Sequence, residues 1–238
     1  MKLTIAILFC DKDYQHIPFL LDLIEDNVLI KYELILVDNR EASKYEYIDF
    51  KNATVIDMQY NARQLQGRKQ AINYATGDYI WFIDADDEVL FISEDKQNLL
   101  NKGYDAIYFN FYNEKIPCQL FEEDKIINKP CERDVYINGR NMLWNKWIKT
   151  DILKKVETHI PTDIIASASE DTALVLGTLK YSKILYECSD FVYIYKSTLG
   201  SIGQKHISIP NRFQEFLIGH GQVTSLIVNM LTENELTS

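Results

Sequence analysis

The chain has 238 residues, 47% of them hydrophobic, with 35 acidic against 25 basic side chains and a formal net charge of −10. A chain of this size buries roughly 70–75% of its unfolded surface, which excludes intrinsic disorder and disulfide-stapled miniproteins and suits one α/β domain. The acidic balance disfavours a broad, sequence-independent grip on nucleic acid.

Cys10, Cys118, Cys131 and Cys188 stand singly, without CxxC pairs or metal-finger spacing, as buried thiols do in a reducing cytoplasm. The opening stretch, Met1 to Asp13, holds a short apolar run and no small-residue cleavage site, so a secretory signal is not expected. No run of about 18 apolar residues occurs, so no membrane span is expected. The expected location is cytoplasmic, with peripheral contact at the inner membrane surface as the variant.

Lys2 to Phe9 is a near-continuous apolar run, the pattern of a parallel strand covered on both faces. Ile17, Leu20, Leu21, Ile24 and Val28 then recur at helical spacing, with Pro18 where a first turn tolerates a missing N–H. Tyr32 to Val37 repeats the strand pattern and stops at Asp38-Asn39; Ala53 to Met58 is a shorter third strand. Gln64 to Ala75 reads as a helix closed by Gly77, and Asp78 to Ile83 as a fourth strand running into Asp84-Ala85-Asp86-Asp87-Glu88. This alternation predicts a Rossmann-like, doubly wound, mainly parallel sheet, whose ligands gather beyond the carboxyl ends of its strands. Asp11, Asp38 and Asp84 each follow a strand at that edge, so three carboxylates are expected around one crevice.

Farther on, Asp105 to Tyr112 reads as an aromatic-rich strand and Cys118 to Asp134 as a loop or small hairpin. Trp144 to Val156 reads as helix, Asp171 to Leu179 as the opening of another, and Ile184 to Tyr195 as strand. Asn211 to Leu231 is a final helix, apolar on one side and loosened near Gly219 and Gly221. Without repeats or a Pro-, Gly- or Ser-rich linker, residues 1–238 are expected to form a single compact domain.

Asp84-Ala85-Asp86 on an extended backbone puts two carboxylates on one side, where both can face a cation. Mg²⁺ or Mn²⁺ joins one or two protein carboxylates to substrate phosphates in this way. Alone, the pattern is more often a solvated acidic turn.

The surrounding stretch, Gly67-Arg68-Lys69 through Ala75-Thr76-Gly77-Asp78-Tyr79-Ile80 to Phe82-Ile83-Asp84-Ala85-Asp86-Asp87, resembles the inverting family 2 glycosyltransferases of the GT-A fold. Their signature runs ARN, a short helix, A-x-G-[DE]-Y-[IV], then F-[LI]-D-x-D-D. Val37-Asp38-Asn39 is similar to their V-D-D, and Asp11 falls near their usual Asn. Trp144-Asn145-Lys146-Trp147 resembles the W-N-K-[LI] of capsule and lipopolysaccharide members. Glu170-Asp171 resembles their E-D pair, and Tyr193-Ile194-Tyr195-Lys196 with Gly200-Ser201-Ile202 their closing Y-x-Y-R…G-S-I.

The resemblance implies a GT-A domain. Residues 1 to about 100 would form its nucleotide-sugar half, and the rest, with the last helix, its acceptor half. It implies that Asp38 reads the base, that Asp11 and Arg68 line the nucleotide side, and that Asp84 approaches the ribose and the metal. Asp86 would be the Mn²⁺ or Mg²⁺ ligand, with His206 as a minor candidate, and Asp87 would cap the following turn. Asp171 would be the catalytic base, with Trp144, Glu170 and Lys196 on the acceptor side.

Read without the family, Ser169-Glu170-Asp171 is ordinary helix-capping chemistry, Arg68 a solvated side chain, Trp144 and Trp147 core packing, and Lys146 a side chain facing solvent or a carboxylate.

The implied activity moves a sugar, by analogy from a UDP-hexose, to a hydroxyl of a surface glycan: a saccharide or lipid-linked saccharide in polysaccharide biosynthesis. A modified nucleobase in DNA is the alternative acceptor, disfavoured by the net charge. A partner subunit that binds nucleotides without turnover is a second class. It is motivated by Lys69 where the family keeps Asn and by Phe9-Cys10-Asp11 in place of Pro-x-Tyr-Asn. A nucleotidyltransferase would need a Gly-rich loop that residues 1–30 lack. Subunit number is not legible.

Overall fold

A computed structural model describes residues 1–40, 50, 52–130, 141–164, 170–196 and 210–232, with side chains of the last segment from residue 218 onward. The elements run β1 (Leu3–Phe9), α1 (Ile17–Asn27), β2 (Tyr32–Asp38), β3 (Ala53–Asp57), α2 (Arg63–Tyr74), β4 (Tyr79–Asp84) and β5 (Glu88–Val89). They continue with α3 (Gln97–Asn101), β6 (Ala106–Asn113), β7 (Ile116–Cys118), β8 (Lys125–Asn128) and β9 (Lys146–Lys149). The last are α4 (Thr150–Glu157), α5 (Glu170–Tyr181), β10 (Ile184–Tyr195) and α6 (Pro210–Thr232).

The strands form one sheet in the order β3-β2-β1-β4-β9-β6-β10-β5, with β7 on β6 and β8 on β10. β3, β2, β1 and β4 are mutually parallel, as are β6 and β10, while β9 runs antiparallel to both of its neighbours. The fold is a mainly parallel α/β sheet, as the alternation of strands and helices predicts.

Pleating sorts the apolar residues into two cores. Leu3, Ile5, Ile7 and Phe9 of β1, with Tyr79, Trp81 and Ile83 of β4, face α1 and α3. Ala6, Ile80 and Phe82 face α2, α4, α5 and α6 on the other side. Gly177 permits the close stacking there: a Cβ on it would meet Val156 at 2.6 Å and Met230 Sδ at 2.7 Å. Gly77 is not the helix stop expected from its position, since α2 ends at Tyr74. It lies against β1, where a Cβ would stand 2.5 Å from Thr4 Oγ1 and 2.7 Å from the Thr4 backbone nitrogen.

Three local expectations are corrected. The helix read from Trp144 starts at Thr150, because Lys146–Lys149 forms β9. This strand pairs with β4 and β6, and the fully buried Trp147 and Ile148 fill opposite cores. The segment from Cys118, expected as a loop or small hairpin, instead adds to the main sheet: β7 ends there, on β6, and Lys125–Asn128 pairs antiparallel with β10. The last helix is continuous through Gly219 and Gly221, with Val223, Leu226 and Met230 inward.

Cys10, Cys118 and Cys188 are free thiols, and Cys131 lies outside the described residues. Among those residues, no helix is long and apolar enough to cross a membrane.

Candidate active site

The parallel register sets Phe9 beside Asp38 and Leu8 beside Asp84, so the carboxyl ends of β2, β1 and β4 lie together. The even residues of β4 face α2, and Asp84 continues that series. Beyond it the backbone is not extended. Ala85 and Asp86 form a turn in which the Asp87 amide donates to the Asp84 carbonyl at 3.1 Å. Asp84 and Asp86 are therefore brought together by a turn, not by pleat alternation, and the Asp86 charge is felt at Asp84.

α2 buries Leu65, Arg68, Ala71 and Ile72 along one stripe, so Arg68 is a cation set into an apolar helix face, 2% exposed rather than solvated. Its Nη1 donates to Glu170 Oε1 at 3.2 Å and to Asp171 Oδ1, and its Nη2 to Asp84 Oδ1 at 3.4 Å. Asp171 Oδ2 accepts the Leu143 amide N–H at 3.2 Å. One guanidinium thus gathers three carboxylates from β4 and the first turn of α5. Burial opposes the Arg68 charge, but Asp171, Glu170 and Asp84 outweigh it and hold the guanidinium firmly protonated. Burial pushes the Asp84 carboxyl up to about 6, against Arg68, with Asp171 and Asp86 adding their repulsion. Burial likewise pushes Glu170 up to about 7. Among the described residues, Asp84, Glu170 and Asp171 share the one guanidinium of Arg68.

Asp87 turns its carboxylate to the end of β10 and not to the turn that follows it. It is buried, and its carboxylate accepts Tyr193 Oη at 2.7 Å and the Lys196 amide at 2.7 Å, which ties the acidic turn to the end of β10. Burial, then the Asp84 charge, pushes it up to about 8 against those hydrogen bonds. Tyr193 Oη also accepts the Asp84 amide N–H at 3.1 Å, so one hydroxyl braces both residues. The Lys196 ammonium pairs with Glu88. Trp144 is 6% exposed, stacked 4.7 Å from Tyr193 and 5.6 Å from Tyr195. It supports Tyr193 from the core, leaving little face for a saccharide. Trp147 is wholly buried.

Asp38 is paired with a residue that carried no sequence signal beyond its spacing of two. Arg40 Nε donates to Asp38 Oδ1 at 2.9 Å and Nη2 to Oδ2 at 2.6 Å. Asp11 is exposed at the end of β1, and its charge reaches Arg40. Lys69 turns to Glu157, 3.2 Å away, and to the Ile160 carbonyl, so its replacement of the family's Asn serves packing between α2 and α4. Lys146 does not face solvent: it is 1% exposed, with Nζ donating to Asn145 Oδ1 at 2.8 Å and lying 4.5 Å from the Tyr108 ring centroid. His206 and Gly200-Ser201-Ile202 lie outside the described residues.

Among the described residues, no group of three or more His, Cys, Asp or Glu side chains is arranged to hold an ion by protein atoms alone. The acidic turn nevertheless offers hard oxygen donors, which suit a divalent cation completed by substrate phosphates.

A mainly parallel sheet with this acidic turn after its fourth strand, facing an Arg-bound carboxylate pair at a helix start, defines a GT-A domain. Residues 5–155 match Glycosyl transferase family 2, and the chain belongs to that family. Its fold is similar to that of S. aureus TarS 1-349 in complex with UDP-GlcNAc, at a TM-score of 0.70 and 17% identity over 98% of this chain and 67% of that one. The same TarS segment in complex with UDP matches at 0.68 and 17%, over 98% and 66%. S. aureus TarS matches at 0.65 and 17%, over 92% of this chain. The chain spans just under two thirds of TarS 1-349, at 66%, and 43% of the TarS chain. No curated protein matches the sequence.

Proposed function

We propose that this chain transfers a hexose from a UDP donor to a hydroxyl of a saccharide or lipid-linked saccharide by a single inverting displacement. The observation that carries the reading is the buried assembly of Arg68 with Asp84, Glu170 and Asp171 at the carboxyl edge of the sheet. It joins the acidic turn to the helix start that bears the family's carboxylate pair. That the similar TarS domain is seen with UDP and UDP-GlcNAc supports the choice of donor. The net charge of −10 supports a glycan over DNA as acceptor.

Asp171 is the general base. A carboxylate has about four lone-pair sites, and Arg68 and the Leu143 amide take two, leaving others to accept the acceptor's hydroxyl proton. The hydroxyl oxygen then bonds to the anomeric carbon as the bond from that carbon to the diphosphate oxygen breaks, and UDP leaves. Asp86 with Asp84 would hold Mn²⁺ or Mg²⁺, which supplies charge neutralisation to the departing diphosphate. Asp38 and Asp11 would lie on the base side and Lys196 on the acceptor side, with the buried Glu170 and Trp144 acting as support beneath the acceptor side and not as contacts to the sugar.

Calorimetric UDP titration with Mn²⁺, beside a transfer assay, tests this. Asp171→Asn is expected to bind UDP like the parent and to lose transfer by about 10²–10⁴-fold. Normal turnover by that variant refutes the base assignment. Asp86→Ala is expected to lose the metal dependence of UDP binding.

A further inference from the structure

The acceptor group that a pyrimidine would meet at the end of β2 is already engaged by the chain itself. Arg40 Nε donates to both Asp38 oxygens, at 2.9 and 3.1 Å, and Nη2 donates to Oδ2 at 2.6 Å. The Arg40 amide N–H adds a fourth contact, to Oδ1 at 3.0 Å. A carboxylate offers about four lone-pair sites, and three N–H groups of Arg40 occupy most of those on Asp38, the Nε–H being shared between its two oxygens. The same guanidinium lies 4.4 Å from the Tyr14 ring centroid and 5.5 Å from that of Phe9. Phe50 closes the aromatic group, 6.3 Å from Phe9 and 6.5 Å from Tyr14. Arg40 is 5% exposed, so it is a fitted part of this pocket and not a surface side chain resting on it.

A guanidinium and the edge of a uracil ask for the same surroundings. Both are planar, both donate N–H to a carboxylate, and both stack on an aromatic face. We infer that Arg40 is a built-in competitor for the base slot: it holds Asp38 and the Tyr14 face until uracil displaces it, and so sets the affinity and base preference of the donor site. The inference rests on the reading of Asp38 as the base-binding carboxylate. Cytosine differs from uracil where it matters, because its ring N3 carries a lone pair instead of an N–H. Its 4-amino group can still donate to a freed carboxylate, but its N3 lone pair then faces a carboxylate oxygen, so it gains less than uracil from displacing Arg40. Arg40 therefore narrows the gap between the two bases as well as weakening uracil binding.

Calorimetric titration of UDP and CDP into the parent, Arg40→Ser, Arg40→Gln and the double variant Asp38→Asn with Arg40→Ser tests the inference. Arg40→Ser is expected to tighten UDP about tenfold and CDP by less, and the double variant to lose the gain. Arg40→Gln, which keeps a planar amide without the charge, is expected to move the same way by less, and serves if the serine variant does not fold. UDP affinity within about twofold of the parent in both single variants, or weaker, overturns the inference while the nucleotide-sugar reading stands. Failure of the parent and all variants to bind any nucleoside diphosphate removes the base slot itself, and the inference with it.

Discussion

The Arg68 guanidinium binds the Asp171 carboxylate across 103 positions of sequence, and among the described residues the same guanidinium is also shared by Asp84 and Glu170. Removing the only described guanidinium in that cluster leaves Asp84, Glu170 and Asp171 facing one another in low dielectric. Arg68→Met is expected to destabilise the domain by about 3–5 kcal/mol in urea unfolding at neutral pH, as breakage of a buried pair does. Adding Asp171→Asn is expected to recover part of the loss, a non-additivity that a double-mutant cycle reads directly.

Tyr193 braces the acidic turn through one oxygen that serves both Asp84 and Asp87. In Tyr193→Phe the ring still packs on Trp81 and Trp144, but a buried carboxylate and an amide lose their partner. The expected cost is about 1–3 kcal/mol in urea unfolding. Because Asp84 is then less firmly placed, kcat is expected to fall about tenfold, more than the change in donor KM.

Glu33 gives the fold a pH dependence far from the site. Burial alone would raise its carboxyl, but hydrogen bonds from Lys2, Thr4 and Thr76 outweigh that and bring it to about 2 from an ordinary 4.5. Its oxygens accept Lys2 Nζ and Thr4 Oγ1 at 2.6 Å and the Thr76 and Gly77 amides at 2.8 Å. A depressed carboxyl contributes stability fully above its unfolded value and loses it as the pH falls toward the folded one. Thermal melts are therefore expected to show about 2–3 kcal/mol disappearing between roughly pH 5 and 2, a loss that Glu33→Gln lacks.

Two glycines beside the same strand are expected to respond differently to alanine. At Gly77 the new methyl would meet Thr4 backbone at 2.7 Å, and β1 cannot yield, so Gly77→Ala is expected to cost about 1–3 kcal/mol. At Gly67 the clash is with the ends of the Leu8 and Asn39 side chains, at 2.8 and 2.9 Å, which can rotate. Gly67→Ala is expected to cost less than Gly77→Ala in the same denaturant titration.

The first four strands and their helices were legible because apolar runs and helical spacing record burial directly, and the acidic edge followed from the parallel order they imply. β9 was not legible. Lys146 and Lys149 flank Trp147 and Ile148 in a way that reads as amphipathic, whereas the first of these lysines is buried by β6 and its neighbours. The bracing role of Tyr193, which the sequence offers only as part of the closing Tyr-x-Tyr-Lys resemblance, and the pairing of Arg40 are illegible for a related reason: their partners are set by tertiary register, and nothing in a local window distinguishes a bracing tyrosine or a buried arginine from exposed ones. Arg68 carried a signal in hindsight, a cation at a stripe position between Leu65 and Ile72.

The antiparallel seam formed by β9 makes the molecule indivisible. A strand from beyond residue 140 is wedged between β4 and β6, so the first hundred residues expressed alone would bare one flank of β4, and a chain opened before β9 would lose the join between two parallel blocks. Any proposed division of the chain into a donor and an acceptor half therefore runs through one continuous sheet, and neither half has a complete sheet without the other.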